Sequence, residues 1–572
     1  MKSSGALWLA IALTAASQVC GQQSEYIIQT DSLFKHISVL ADDSLEGREV
    51  GELGEWKAAQ YIKGIFESAG LAPKGNNGLY FQAFEFTKTI NLGDNNRLVI
   101  NGQELQLNEE FVPLRQSTSA AFEFDQVVYV NFGIKVEEGD GSYDDYENKD
   151  VTGKAVIIKR FAPSSDNYPH VDFAKYSSLT SKIQTALEHN VGGIFFITPE
   201  NHDDTLHTIG PARMYPKKIP IIFLKRKGIK RLGLDLSQPG ITSAIGETEL
   251  IRVPDTGYNV VGYLPTENDT TIIIGAHYDH LGWGGPVSRY KGKEKMIHNG
   301  ADDNASGTAA LLELAHYFSS IKDSMKYSLL FIAFSGEEAG ALGSNYFVRH
   351  MTVDSTKVRM MVNIDMIGRL RNQEHGLAVF GTGTCSEFKS YFDSLNYNGI
   401  KMVFKESGGG GSDQISFYNC GIPVLHFFTG AHEDYHKPSD DIEKINFEGI
   451  AVISKLISKV VLDFDKYDVF LTFQKTKGAE TDKRRAAFTV TLGITPDFIA
   501  EVKGLRVDGV SPDGPAERAG ILRGDIIIRM GNIDVGDIYD YMNALSKFHK
   551  GDTTVVIVER GNGTLSLQVV FE

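Results

Sequence analysis

Leu329-Leu330-Phe331-Ile332-Ala333-Phe334-Ser335-Gly336-Glu337-Glu338 is an apolar run that ends in a glycine turn and two adjacent carboxylates. A strand apolar at every position, rather than at alternate ones, has both faces covered, and this is the signature of a parallel sheet packed between helices. The same rhythm recurs on either side of it. Ile272-Ile273-Ile274 leads into His277, and Met361-Val362-Asn363-Ile364 leads into Asp365. From about 255 to 465 the chain alternates strand, turn and helix, which predicts an α/β fold with a mixed, mainly parallel sheet and helices on both faces. In open sheets of this kind ligands bind beyond the carboxyl ends of the strands. His277, Glu337, Glu338 and Asp365 all fall there.

The residue types suit a divalent metal. Zinc takes histidine nitrogen and carboxylate oxygen, and a catalytic site keeps one position open for water. In His277-Tyr278-Asp279 the carboxylate two residues on is placed to bind the other ring nitrogen and fix the tautomer. Gly300-Ala301-Asp302-Asp303-Asn304-Ala305-Ser306-Gly307 reads as a tight turn opening a helix over Ser306 to Ser319, with Asn304 or Ser306 as its cap. Glu337 and Glu338 would repel if both were buried and unpaired. A dication relieves this for one, while the other can hold protons for a reaction.

Five segments occur in fixed order: His277-Tyr278-Asp279, Gly300 to Gly307, Ser335-Gly336-Glu337-Glu338, Asn363-Ile364-Asp365-Met366-Ile367-Gly368 and Asp434-Tyr435-His436-Lys437-Pro438-Ser439-Asp440. Together they resemble the co-catalytic dizinc aminopeptidase and glutamate carboxypeptidase family. The resemblance implies two Zn2+ per chain, with Asp303 shared between them. His277 and Asp365 would complete one site, Glu338 and His436 the other. Glu337 would be the general base on the attacking water, Tyr435 a donor to the developing oxyanion, and Asp279 a supporting catalytic residue. Asp303 rather than Asp302 matches the family's shared position, counted back from Ser306-Gly307.

His432-Glu433-Asp434-Tyr435-His436 also spells H-E-x-x-H, a zinc signature that needs both histidines on one face of a helix. Thr429-Gly430 before it and Pro438 after it argue for a loop that supplies His436 alone. Gly408 to Gly411 with Ser412-Asp413 resembles a loop bordering the active site in this family, and no catalytic role is assigned to it. The absence of a G-x-S-x-G elbow disfavours a serine hydrolase.

The 572 residues exceed one ordinary core, and 42% hydrophobic with 23% charged residues is globular composition, so several domains are expected. A net charge of -16 disfavours a nucleic-acid partner. Residues 1–21, with Lys2 ahead of the apolar Ala6 to Ala16, read as a signal peptide, which predicts a secreted or periplasmic protein; Cys20 as a lipid anchor is disfavoured. No other run is long enough for a transmembrane segment. Cys385 and Cys420 have neither disulfide-framework nor zinc-ribbon spacing. The domain reading is 22–118 as the N-terminal part of the catalytic domain, 119–252 as an α/β insert, 253–468 as the catalytic remainder, 469–485 as a linker and 486–572 as a C-terminal domain. The insert resembles a protease-associated domain. The last segment, with Thr491-Leu492-Gly493-Ile494, is similar to a β-rich PDZ domain, which implies that Leu492, Gly493 and Ile494 would offer backbone N–H groups to a peptide's terminal carboxylate.

The function expected is removal of N-terminal residues from peptide substrates. Glutamate-carboxypeptidase-like action and cyclisation of N-terminal glutamine are alternatives within the same resemblance. A catalytically inactive peptide-binding protein is the alternative of a different class.

Overall fold

The computed structural model describes residues 27–571 apart from 137–141, 164–167, 169–172, 201, 207–215, 238, 286, 372–375, 396, 398–399, 468–469, 477–489, 498–499, 501, 512, 537 and 562. The signal peptide and Cys20 expected from sequence lie outside the described residues.

Every residue of Thr271–His277 and of Ser328–Phe334 is buried, as continuous apolar strands require. They pair in parallel, Thr271–His277 also pairs in parallel with Val358–Ile364, and that strand does so with Val424–Phe428. The central sheet has nine strands, with Leu250–Leu264 at one side, antiparallel to Ser328–Phe334, and Leu377–Phe380 and Met402–Lys405 at the other. Helices Gly307–Ser320 and Phe447–Lys466 pack on it, and the buried face of the latter runs through Ile450, Ile453, Ile457, Val461 and Phe464 at helical spacing. The N-terminal helices Thr30–Leu40 and Leu53–Ser68 pack into this same core through Leu33, Ile37, Ile62 and Phe66. They therefore belong structurally to the sheet domain.

Phe81–Leu92 pairs along Leu250–Leu264, starting from Leu92 opposite Leu250, so the chain leaves and re-enters the sheet domain through neighbouring strands. Between them lies an α/β module with a five-stranded and a four-stranded sheet. The hairpin Arg97–Ile100 and Gln103–Leu105, turned at Asn101-Gly102, pairs with Ala244–Thr248, and Phe111–Pro113 pairs with Ile221–Leu224. Residues 97–113 are thus part of the insert, and the boundary expected at 119 falls inside it. Their partners lie more than 100 positions downstream, beyond the reach of local periodicity.

The C-terminal domain is a six-stranded sheet with the helix Ile538–Leu545, closed around Leu492, Val507, Ile527, Val556 and Val558. The start of the expected linker is anchored instead. Gln474 N–H donates to Thr384 O at 2.8 Å, Thr476 N–H to the Tyr418 hydroxyl at 2.8 Å, and Phe473 packs on Tyr418. The C-terminal domain touches the sheet domain through Arg371 and Asp508, 3.2 Å apart, and the insert through the rings of His202 and His549. Among the described residues no helix is long and apolar enough to cross a membrane, and Cys385 and Cys420 are both free thiols.

Candidate metal centre

Parallel strands end at one edge, and that edge gathers the acids and histidines. His277 closes its strand; its Nε2 lies 3.3 Å from Asp365 and 3.5 Å from Asp303 Oδ1. The other oxygen of Asp303 faces a second group. His436 Nε2 is 3.3 Å from Asp303 Oδ2 and 3.2 Å from Glu338. His280 Nδ1 lies 2.8 Å from Glu338 and 3.8 Å from Asp303 Oδ2. The structure thus brings together all five ligand candidates, and it adds His280.

Donor chemistry and leftover valences fit divalent cations. His277, Asp303 and Asp365 each offer an atom within 4.8 Å of the others, as do His280, Asp303 and Glu338. His436 Nε2, Glu338 Oε1 and His280 Nδ1 are buried and crowd one another at ion-pair distance without a well-aligned hydrogen bond. A misaligned buried polar group forfeits part of the roughly 1–3 kcal/mol that a good partner returns, and a cation set among them restores it.

Backbone carbonyls orient both outer histidines. The nearest acceptor to His277 Nδ1 is the carbonyl of Asp279 at 3.2 Å, and His436 Nδ1 faces the carbonyl of Val287 at 3.1 Å. Each ring then presents Nε2 to the cluster. Here the structure differs from the sequence expectation for Asp279. Its carboxylate stands 3.7 Å from His277 Nδ1, outside hydrogen-bond range, and accepts instead from the amides of Glu337 at 3.0 Å and Glu338 at 3.3 Å. It fixes the acidic turn, while the adjacent backbone fixes the histidine. Asn304 ties two ligand loops together, donating to Ile364 O and accepting from Met366 N–H.

Asp302, the neighbour of Asp303, points away. It accepts from Ser306 Oγ and Gly368 N–H and faces His432 Nε2 at 3.2 Å. Residues 433–436 form a turn rather than a helix, and His436 has φ +58°. That left-handed backbone, which costs on the order of 1 kcal/mol for a non-glycine residue, is held by Arg289 N–H donating to His436 O at 2.9 Å. His432 therefore belongs to a polar network behind the cluster, with Asp440 and Asp434, both of which also bind Arg369.

Glu337 is held well above the usual carboxylate range, by burial first and then by the neighbouring carboxylates Glu338, Asp413 and Asp365, against the pull of His277. Burial opposes ionisation of Glu338 too, but His436 and His280 carry it well below the ordinary value. The two adjacent acids are thereby split into a proton holder and an anion. Tyr435, raised well above 10 by burial and then by Asp303, keeps its phenolic proton to donate. Asp413, on the glycine-rich loop, is fully buried; burial followed by Asp279 and Asp365 pushes it up to about 7.

Two buried residues from the N-terminal segment complete the frame. Arg48 donates to the carbonyls of Tyr278 (2.7 Å), Asn299 (2.7 Å), Gly300 (3.1 Å) and Leu40, tying the loop after His277 to the turn before Asp303. Burial lowers it to about 10, so it stays cationic beside Asp279, Asp303, Asp440 and Glu338. Glu55 accepts from Ser335 Oγ at 2.5 Å and from the amides of Gly51 and Tyr258, and it faces the Tyr278 hydroxyl. Neither residue, nor His280, was selected from sequence. His280 alone carried a signal, one position beyond His277-Tyr278-Asp279.

The carboxylate loop expected in the C-terminal domain, Leu492-Gly493-Ile494, lies at the start of the edge strand Ile494–Pro496 and faces this region, since Arg289 Nη2 donates to Ile494 O at 3.3 Å.

Residues 259–461 match the model of Peptidase family M28, and residues 473–570 match the PDZ domain model. Aminopeptidase YwaD of Bacillus subtilis (strain 168) is 27% identical over 223 residues, which are 36% of this chain and 45% of that protein. Leupeptin-inactivating enzyme 1 of Streptomyces exfoliatus is 31% identical over 193 residues, 33% of this chain and 39% of that one. The chain spans less than half the length of either relative. Among solved structures, an aminopeptidase from Aneurinibacillus sp. strain AM-1 aligns over 79% of this chain and 96% of its own at 20% identity, with a TM-score of 0.44.

Proposed function

We propose that this chain, which carries a peptidase family M28 domain followed by a PDZ domain, is an exported zinc-dependent aminopeptidase that removes N-terminal residues from peptides. Asp303 carries the reading: one of its oxygens faces His277, beside Asp365, and the other faces His436 and His280, beside Glu338. A carboxylate shared between two donor groups is what a paired metal site needs, and we assign two Zn2+ to it. His277 and Asp365 would hold one, Glu338 and His436 the other, with Asp303 common to both. When bound, zinc supplies a Lewis acid for the scissile carbonyl and lowers the pKa of water.

The chain's own residues carry the protons. Glu337 lies beside the ligands but is not one of them, and its raised affinity for a proton suits it to take one from the attacking water and pass it to the leaving amine. Tyr435 keeps a hydroxyl to donate to charge developing on the carbonyl oxygen. Asp279 anchors the turn bearing Glu337, and Arg48 anchors the loops bearing His277 and Asp303.

The test combines metal analysis with a substrate panel. Two zinc ions per chain and cleavage of amino-acid amides, with N-acetylated peptides left intact, are the expected results. One ion with conversion of N-terminal glutamine points to cyclase chemistry, and cleavage of N-blocked peptides at their carboxyl end points to a carboxypeptidase. Absence of zinc and of turnover would leave a peptide-binding protein.

A further inference from the structure

Arg289 joins the metal centre to the PDZ domain. Its backbone N–H holds the carbonyl of His436, and its guanidinium reaches the first carbonyl of the strand Ile494–Pro496. That strand pairs with Leu505–Val510 on one side, and among the described residues its other edge is unpaired. Among the described residues, the groups within electrostatic reach of the guanidinium are the phenols of Tyr435, on the metal side, and Tyr541, on the PDZ helix, together with the ammonium of Lys437, and no carboxylate is among them. Of the acids in this region, Asp508 is engaged by Arg371 and Arg523 and Asp434 by Lys444 and Arg369, while the exposed Glu433 lies within reach of Lys437. In a chain of net charge -16, the segment 289–295 carries Arg289, Lys291, Lys293 and Lys295 against Glu294 alone. A half-buried cation with no carboxylate on it among the described residues, at the free edge of a strand and beside the metal site, is set up to receive an anionic chain end.

We propose that Arg289 takes the C-terminal carboxylate of short peptide substrates whose amino end lies at the metal centre, so that the PDZ edge strand forms one wall of the substrate site. This rests on the aminopeptidase reading and adds a substrate class to it. An arginine side chain reaches about 7 Å from its backbone, and extended peptide advances about 3.3 Å per residue. Peptides of roughly two to four residues with a free carboxylate are therefore favoured over longer or amidated ones.

The test compares tripeptides as free acids and as C-terminal amides. The wild type is expected to favour the acid by about ten- to a hundredfold in kcat/KM, mainly through KM, as a charge-assisted contact predicts. In Arg289→Gln, which keeps the chain length, that ratio falls towards one; Arg289→Lys restores part of it. An N-acetylated tripeptide acid should inhibit competitively, and raising salt should weaken that inhibition. Equal rates for acid and amide in the wild type, or an unchanged ratio in Arg289→Gln, overturn the assignment while leaving the aminopeptidase reading intact. Non-competitive inhibition also overturns it, by moving the carboxylate to a separate regulatory chain end. Failure to cleave either peptide sinks the aminopeptidase reading and this one with it.

Discussion

Replacing Glu55 by glutamine isolates a single proton in the frame of the metal centre. Glu55 is 1% exposed, and burial pushes its carboxyl from the ordinary 4.5 up to about 7, against the pull of Ser335 and of the Gly51 and Tyr258 amides. The geometry explains where the proton sits. The Tyr278 hydroxyl lies 2.9 Å from Glu55 and 2.6 Å from Tyr258 O, and its one hydrogen can serve only one of them. A protonated Glu55 supplies the missing donor. Because the folded value exceeds the unfolded one, stability from this group is fully present below about pH 4.5 and lost as pH rises through about 7. A shift from 4.5 to about 7 corresponds to about 3 kcal/mol at 1.36 kcal/mol per unit. Glutamine carries a permanent N–H there, so Glu55→Gln should lack this loss. Urea unfolding from about pH 4 to about pH 8, followed by Trp56 fluorescence in a Trp8→Phe, Trp283→Phe background, reads the difference; Trp56 packs on Tyr258 and Phe81 in the same domain. The stability gap between variant and wild type should move by about 3 kcal/mol in favour of the variant across that range. A gap that does not change with pH refutes the reasoning, because Glu55 would then be an ionised acceptor throughout.

Glu337→Gln should reduce kcat by roughly 10²- to 10⁴-fold with zinc content unchanged by metal analysis; retained activity would remove it as the base. Arg48→Lys keeps the charge but loses the fork that serves four carbonyls, and thermal unfolding should show a loss of about 2–4 kcal/mol with weaker metal retention. His432→Ala should leave metal content intact while costing about 1–3 kcal/mol through the uncompensated Asp302, and loss of zinc would place His432 among the ligands.

Strand periodicity made part of the site legible, while Asp303, Tyr435 and His436, which lie in turns, were legible only through the motifs they share with a family. His277, Glu338 and Asp365 each follow a continuous apolar run, and such runs fix where a parallel sheet terminates. Arg48 and Glu55 were not legible, because each acts on backbone or side chains brought up by folding: Asn299 is 251 positions from Arg48, and Ser335 is 280 from Glu55. Asp279 shows the limit of local reasoning differently. It stands two residues from His277 and 3.7 Å from its Nδ1, yet the carboxylate turns to the amides of Glu337 and Glu338, which lie near it only through sheet pairing. The insert boundary was missed for the same reason, since the Arg97–Leu105 hairpin finds its partner strand beyond residue 240.

The pairing of Leu92 with Leu250 has a consequence for how the chain assembles. Bringing those two positions together across an unstructured loop of this length would cost on the order of 4 kcal/mol of closure entropy. An insert closed around its own hydrophobic clusters presents its two ends side by side, so that penalty is offset by the insert's own core and not by the central sheet. The module is then a clamp on the two strands it joins. Cutting it out between residues 92 and 250 and joining the strands by a short turn should preserve the pairing of Phe81–Leu92 with Leu250–Leu264, because the splice spans only the distance between adjacent strands.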